Sequence, residues 1–186
     1  MTAIIILAVV VILVFFCISL YNRLVRMRNN RENAFANIDV QLKQRHDLVP
    51  QLVECVKGYA AHEKETFQKV TELRNQAVNA QGIDNKIAAE NALTSALSGL
   101  KVTLEAYPEL KANQNFLQLQ GEVSDIENKL AATRRYFNSA TREYNNAVET
   151  FPANIVAGMF NFKRGAMFEV PDTERAELDK APDIKF

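Results

Sequence analysis

An unbroken apolar run at the start of the chain constrains it more than any other feature. From Ala3 to Leu20 the residues are Ala, Ile, Leu, Val and Phe with one Cys and one Ser. As a helix these 18 residues extend about 27 Å, close to the roughly 30 Å hydrocarbon core of a bilayer. Backbone in lipid has no water to bond, so a run of this kind must close its own hydrogen bonds as a helix. Tyr21 follows where an amphipathic aromatic belongs at the headgroups, and Arg23, Arg26, Arg28 and Arg31 come next. Positive charge stays inside, so the pattern predicts an N-terminus outside and everything after residue 22 in the bacterial cytoplasm, beneath the inner membrane. Tyr21, Arg23, Arg26 and Arg28 are the expected membrane-interface residues.

Three other uses of such a run fit less well. A cleaved signal peptide wants a basic leader and a small-x-small cleavage site, which are missing. A lipoprotein cysteine needs a small residue before it, whereas Phe15 and Phe16 precede Cys17. A buried core helix would have one polar edge, and this run is apolar all round.

Beyond the anchor, apolar residues recur at steps of three and four, the period of an amphipathic helix with a coiled-coil-like seam. The first series passes through Phe35, Ile38, Leu42, Arg45, Val49, Leu52, Val56, Tyr59 and Glu63 to Phe67, Val70, Leu73 and Ala77. Pro50 falls inside it, yet the phase holds across the proline. That predicts one long kinked helix reaching from the membrane to about Ala80, with a tight turn at Asp47–Pro50 as the alternative. Gly82 breaks the chain, and Asp84 is placed to cap a second helix with the seam Leu93, Leu97, Leu100, Leu104 and Tyr107. Pro108 interrupts. A last long helix runs from Phe116 through Leu130 and Phe137 to Phe151, where Pro152 ends it. Short connections make neighbouring helices antiparallel. The expected fold is therefore all-α: an N-terminal transmembrane helix continuous with an antiparallel up-and-down helical bundle. The expected divisions are an anchor over 1–21, a cytoplasmic bundle over 22–168 and an acidic tail over 169–186.

Ile155 to Phe168 reads either as a short helix closing the bundle or as a basic-aromatic patch for membrane or partner, with Lys163 and Arg164 among its aromatics. The tail ends Pro182-Asp183-Ile184-Lys185-Phe186. Ile184 and Phe186, alternating beside a free carboxylate, make a candidate partner motif; a frayed terminus is the plainer reading.

Chemistry is hard to find. Basic and acidic residues number 22 each, which leaves no basic excess for nucleic acid. The two histidines, His46 and His62, belong to neither a Glu-x-x-His pair nor a zinc His-Glu-x-x-His motif. Gly-rich phosphate loops and Gly-x-Ser-x-Gly elbows are absent. Cys17 and Cys55 have no metal-binding spacing, and Cys55 beside the seam reads as a small buried hydrophobe. No catalytic residue, cofactor or metal is expected. What stands out is charge on or beside the seams: Arg45, Glu63, Glu127 and Arg134, with Asn138 and Asn145 on the same face as the last two. Isolated buried charges are costly, so these should pair across helices as a network that fixes register, Arg45 or Arg134 with Glu63 or Glu127. Alternatively they line a polar groove for a ligand.

The stretch Asn33-Ala34-Phe35-Ala36-Asn37-Ile38-Asp39-Val40-Gln41-Leu42-Lys43, then Arg45, Asp47-Leu48-Val49-Pro50, Gly58-Tyr59 and His62-Glu63, resembles the LemA family. So do Tyr107-Pro108-Glu109-Leu110-Lys111-Ala112, Arg134-Arg135-Tyr136-Phe137-Asn138, Tyr144-Asn145 and Phe151-Pro152. Phe35 departs from the Trp common in that family. The resemblance implies a membrane-anchored cytoplasmic bundle with no established reaction, and it implies settings near membrane metalloproteases and, for one relative, magnetosome membranes. The expected function is a non-enzymatic scaffold or adaptor that self-associates on the membrane. Its expected partners are the lipid bilayer, further copies of itself, and a membrane metalloprotease or other membrane protein. A membrane-shaping oligomer and a ligand sensor or uncharacterised hydrolase are the rival readings.

Overall fold

A computed structural model of the chain describes residues 1–60 and 62–169. Among them are five α-helices and no strand: α1 (Thr2–Lys57), α2 (Lys64–Asn79), α3 (Ile83–Leu104), α4 (Gln114–Glu149) and α5 (Ala153–Met159), with a 3-10 turn over Pro108–Ala112 between α3 and α4. Residues 1–19 are exposed throughout, so the apolar run packs on nothing in the protein. It is a helix long and apolar enough to cross a membrane, and it passes into the bundle without a break.

Cross-helix bonds define the topology. Arg45 of α1 reaches Glu127 of α4, and Phe35 meets Phe137, so α4 runs antiparallel to α1. Arg31 reaches Asp84 and Arg45 reaches Thr94, which sets α3 parallel to α1, while Arg74 of α2 returns to His46. The helices go up, down, up and down, an antiparallel up-and-down bundle as expected, with one leg more than a single first helix reaching Ala80 would give. Three apolar clusters stack along this axis. Val56, Val70, Leu100 and Phe116 lie in the distal one, Phe35, Ile38, Leu130 and Phe137 in the middle, and Leu24, Tyr144, Val156 and Phe162 nearest the anchor.

The first helix departs from expectation. It stops at Lys57, not near Ala80, and the reversal falls between Gly58 and Glu63 rather than at Pro50. Two physical reasons account for this. Gly58 is a weak helix former, and past it the Tyr59 and Ala60 amides both fall back on the Val56 carbonyl. Tyr59, a supposed seam residue, is then exposed while Ala60 is buried. The phase seemed continuous because α2 lays its own stripe, Phe67, Val70 and Ala77, on the same core.

Pro50 stays inside α1 because a distant residue repairs what it breaks. Proline has no N–H to give the carbonyl four residues back, which here belongs to His46. Arg74 Nε of α2 donates to that oxygen at 3.1 Å. A second departure concerns Asp84. It does not cap α3, whose N-cap is Gly82 at φ 79°; its carboxylate instead accepts from Arg31 and from the Ala166 N–H.

Candidate functional site

Between the distal and middle clusters lies a polar layer. Arg45, set on α1 between Leu42 and Val49, is only 1% exposed. Its Nη2 donates to Glu90 Oε2, and its Nη1 donates to Thr94 Oγ1 and to Glu127 Oε1, both at 2.9 Å. Glu90, equally buried, accepts from His46 Nε2 at 2.6 Å on its other oxygen. Three helices thus meet on one guanidinium. Burial alone pushes the Glu90 carboxyl up; the hydrogen bond from His46 and the charges of Arg45 and His46 outweigh it and hold the group below the ordinary carboxylate range. Breaking one partner would strand a charge in the core, so the layer discriminates strongly against any other register of α1, α3 and α4.

The four seam charges do not assemble into one site. Arg45 and Glu127 face each other, but Glu63 stands at the N-cap of α2 at the far end, where it accepts from the Tyr107 hydroxyl at 3.3 Å. Arg134 lies over the Phe168 ring at 5.1 Å in the middle cluster. These surroundings are separate, so Arg45, Glu63 and Arg134 do not line a common ligand pocket. Among the described residues there is also no group of three or more His, Cys, Asp and Glu placed to hold a metal ion. Ile184 and Phe186 lie outside the described residues.

Sequence reasoning missed three elements. Glu90 is one: extending the α3 seam back from Leu93 by one step lands on it. The second is Asp84, whose bond to Arg31 joins α3 to α1. The third is an extended strap over residues 162–168. Asn145 of α4 donates to the Gly165 carbonyl at 3.0 Å and accepts its N–H at 2.9 Å. Asn138 does the same for Phe168, at 3.0 and 2.9 Å. Two helical turns separate the asparagines by about 10 Å, the same length as three residues of extended chain, so two amides seven apart fit two peptide units three apart. Ala166 is held between Arg31 and Asp84. A Cβ on Gly165 would stand 2.4 Å from the Arg31 guanidinium carbon, so any side chain there must push that head group off its bonds to Asp84 and Ala166. Phe168 then closes the middle cluster against Phe35 and Phe137.

At the anchor end, Tyr21 packs on Phe160 and Phe162, with ring centroids 4.8 and 5.7 Å away. Arg28 lies over the Phe162 ring at 5.3 Å and 3.9 Å from Glu32. Arg23 and Arg26 are exposed. A groove of about 410 Å³ opens here between α1 and α4, bordered by Leu20, Arg23, Met27, Asn146 and Phe151. A second, of about 560 Å³, lies at the opposite end beside Lys57, Lys64 and Phe67.

Set beside known proteins, the chain matches the model of the LemA family over residues 34–186. It belongs to the LemA family. The matched region starts at Ala34 and takes in the polar layer and both asparagine clamps, so in this LemA-family chain those features lie within the family's own domain. Protein LemA of Metamycoplasma hominis is 29% identical over 85% of this chain and 73% of its own length. Magnetosome protein MamQ of Magnetospirillum gryphiswaldense is 24% identical, and MamQ 2 of Paramagnetospirillum magneticum 23%. Each of these two alignments covers 80% of this LemA-family chain and 64% of the magnetosome protein. None of these names denotes an enzyme.

Proposed function

We propose that this LemA-family chain is a non-enzymatic, membrane-anchored scaffold. It stands on the cytoplasmic face of a bacterial inner membrane and self-associates there or holds a second membrane protein, such as a membrane metalloprotease. The observation that carries this reading is α1 itself. One helix, Thr2–Lys57, is both the exposed apolar segment and the central column of the bundle, so the bundle is fixed to its anchor without a flexible joint. The groups with chemical potential support the same reading. Arg45, His46 and Glu90 bond to one another inside the core, where they give structure rather than a reactive surface.

The test is cross-linking of the full chain in native membranes, followed by detergent extraction and sizing. The scaffold reading expects a discrete multimer or a co-extracted membrane protein. A chain that stays monomeric and alone at its native abundance would overturn it. Orientation is tested on the same membranes: a cysteine placed at exposed Val102 should resist an impermeant thiol reagent in intact cells and react once they are opened.

A further inference from the structure

The short helix α5 has two faces. Ala153, Val156 and Ala157 are buried against the membrane-proximal cluster. The other side carries Ile155 and Met159 one turn apart, with Phe160 at the C-cap and Phe151 just before the helix begins. All four are exposed: 75% for Phe151 and Met159, 55% for Ile155 and 57% for Phe160. A contiguous exposed apolar patch marks something that covers it.

Its height along the molecule identifies the cover. Tyr21 is the first residue after the apolar run, and the Phe160 ring lies 4.8 Å from it. Leu24, one turn further on, packs in one cluster with Val156, Ala157 and Phe162. Wherever the anchor sets the edge of the hydrocarbon, α5 is therefore level with it. An interfacial helix sinks only about 5–10 Å into the headgroup and acyl boundary, and α5 needs no more than that. The flanking charge agrees: Arg23 borders the same groove as Phe151, and Lys163 and Arg164 follow Phe160 closely in the chain, Arg164 pairing with Glu149 at 2.9 Å; basic residues beside an apolar patch suit anionic headgroups. Phe151 also borders the 410 Å³ groove with Leu20 and Arg23, which continues the apolar surface back to the anchor.

We infer that α5 is a membrane foot: Phe151, Ile155, Met159 and Phe160 enter the lipid interface beside the anchor, giving the bundle a second point of attachment to the bilayer. This rests on the membrane-anchored reading above, and on no particular partner.

The chain has no tryptophan, so single-tryptophan variants of the full chain report depth directly. Ile155→Trp, Met159→Trp and Phe160→Trp are reconstituted in vesicles of phosphatidylcholine and phosphatidylglycerol whose acyl chains carry bromine near the glycerol end. Phe15→Trp serves as the anchor control and Val102→Trp as the distal one. The foot predicts strong bromine quenching at 155, 159 and 160, weak quenching by aqueous acrylamide there, and the reverse at 102. Acrylamide quenching at 155 and 159 equal to that at 102, with Phe15→Trp still quenched by lipid, would overturn the foot and leave the anchor standing. Loss of lipid quenching at Phe15→Trp as well would overturn the anchor. Shielding at 155 and 159 from both quenchers would mean that protein, a second copy, covers the patch, and the foot would again fail.

Discussion

The repair of Pro50 by Arg74 makes a quantitative prediction. In the native chain the His46 carbonyl loses its helical donor to Pro50 and takes Arg74 Nε at 3.1 Å instead. Arg74→Met keeps the length of the side chain and removes the donor. Losing a hydrogen bond from a charged group costs about 1.5–3 kcal/mol, and more of that range applies when the acceptor is left dry. Pro50→Ala restores an N–H four residues after His46 and relieves a residue that is about 3 kcal/mol worse than Ala in a helix interior. In that background His46 has its own donor again, so Arg74→Met should cost about 1 kcal/mol less than in the native chain. The four proteins of this cycle are unfolded with urea in detergent micelles and followed by far-ultraviolet circular dichroism. Independent sites add to within about 0.3–0.5 kcal/mol. Equal costs in both backgrounds, within that margin, would refute the repair and leave Arg74 a surface cation.

The remaining predictions concern the polar layer and the strap. Glu90→Leu removes Arg45's buried counter-charge and leaves it only the part-exposed Glu127, which should cost about 3–5 kcal/mol, roughly 6–20 °C in melting temperature; the double change Arg45→Met with Glu90→Leu should recover most of it. Because the Glu90 carboxyl is held below its ordinary range, its stabilisation is present above the unfolded value of about 4.3 and is lost as pH falls through the folded value. Melting temperature between pH 6 and 3 should therefore fall less steeply for Glu90→Gln than for the native chain. Gly165→Ala pushes a methyl into the Arg31 guanidinium and should cost about 1–3 kcal/mol, read as faster amide exchange at Ala166 and Phe168; in an Arg31→Ala background the same change should be nearly silent. Asn145→Ala removes both bonds to Gly165 and should speed proteolysis within 162–168 while leaving helix content unchanged.

Much of this architecture is legible in the residues, because the long seams of α1 and α4 repeat over many turns. For the same reason Arg45 called for an acidic partner, since a charge that interrupts a seam must find an opposite one; the sequence left Glu63 and Glu127 both open, and the structure pairs it with Glu127 and with Glu90. What escaped detection is what depends on distant atoms. The phase of the seam carries the helix across Pro50, but nothing local reveals that Arg74, 24 positions on, satisfies His46. Gly58, a lone glycine inside an apparently continuous stripe, gives too weak a signal to mark the true reversal. The strap is harder still, since the clamps of Asn138 and Asn145 hold backbone atoms, which every residue carries alike. Only Gly165 betrays it, and only once Arg31 is in place.

The uninterrupted first helix has a mechanical consequence. From Tyr21 to Val49 it extends about 40 Å beyond the apolar segment, so it acts as a lever whose fulcrum is the bilayer surface. The tilt of such a helix is set by its packing and its interfacial anchors, and a change of about 10° would carry the Arg45 level sideways by roughly 6 Å. A second foothold at α5 would choose the direction of that lean. The lean of the anchor would then be written into the position of the bundle's far end, where a neighbour could feel it.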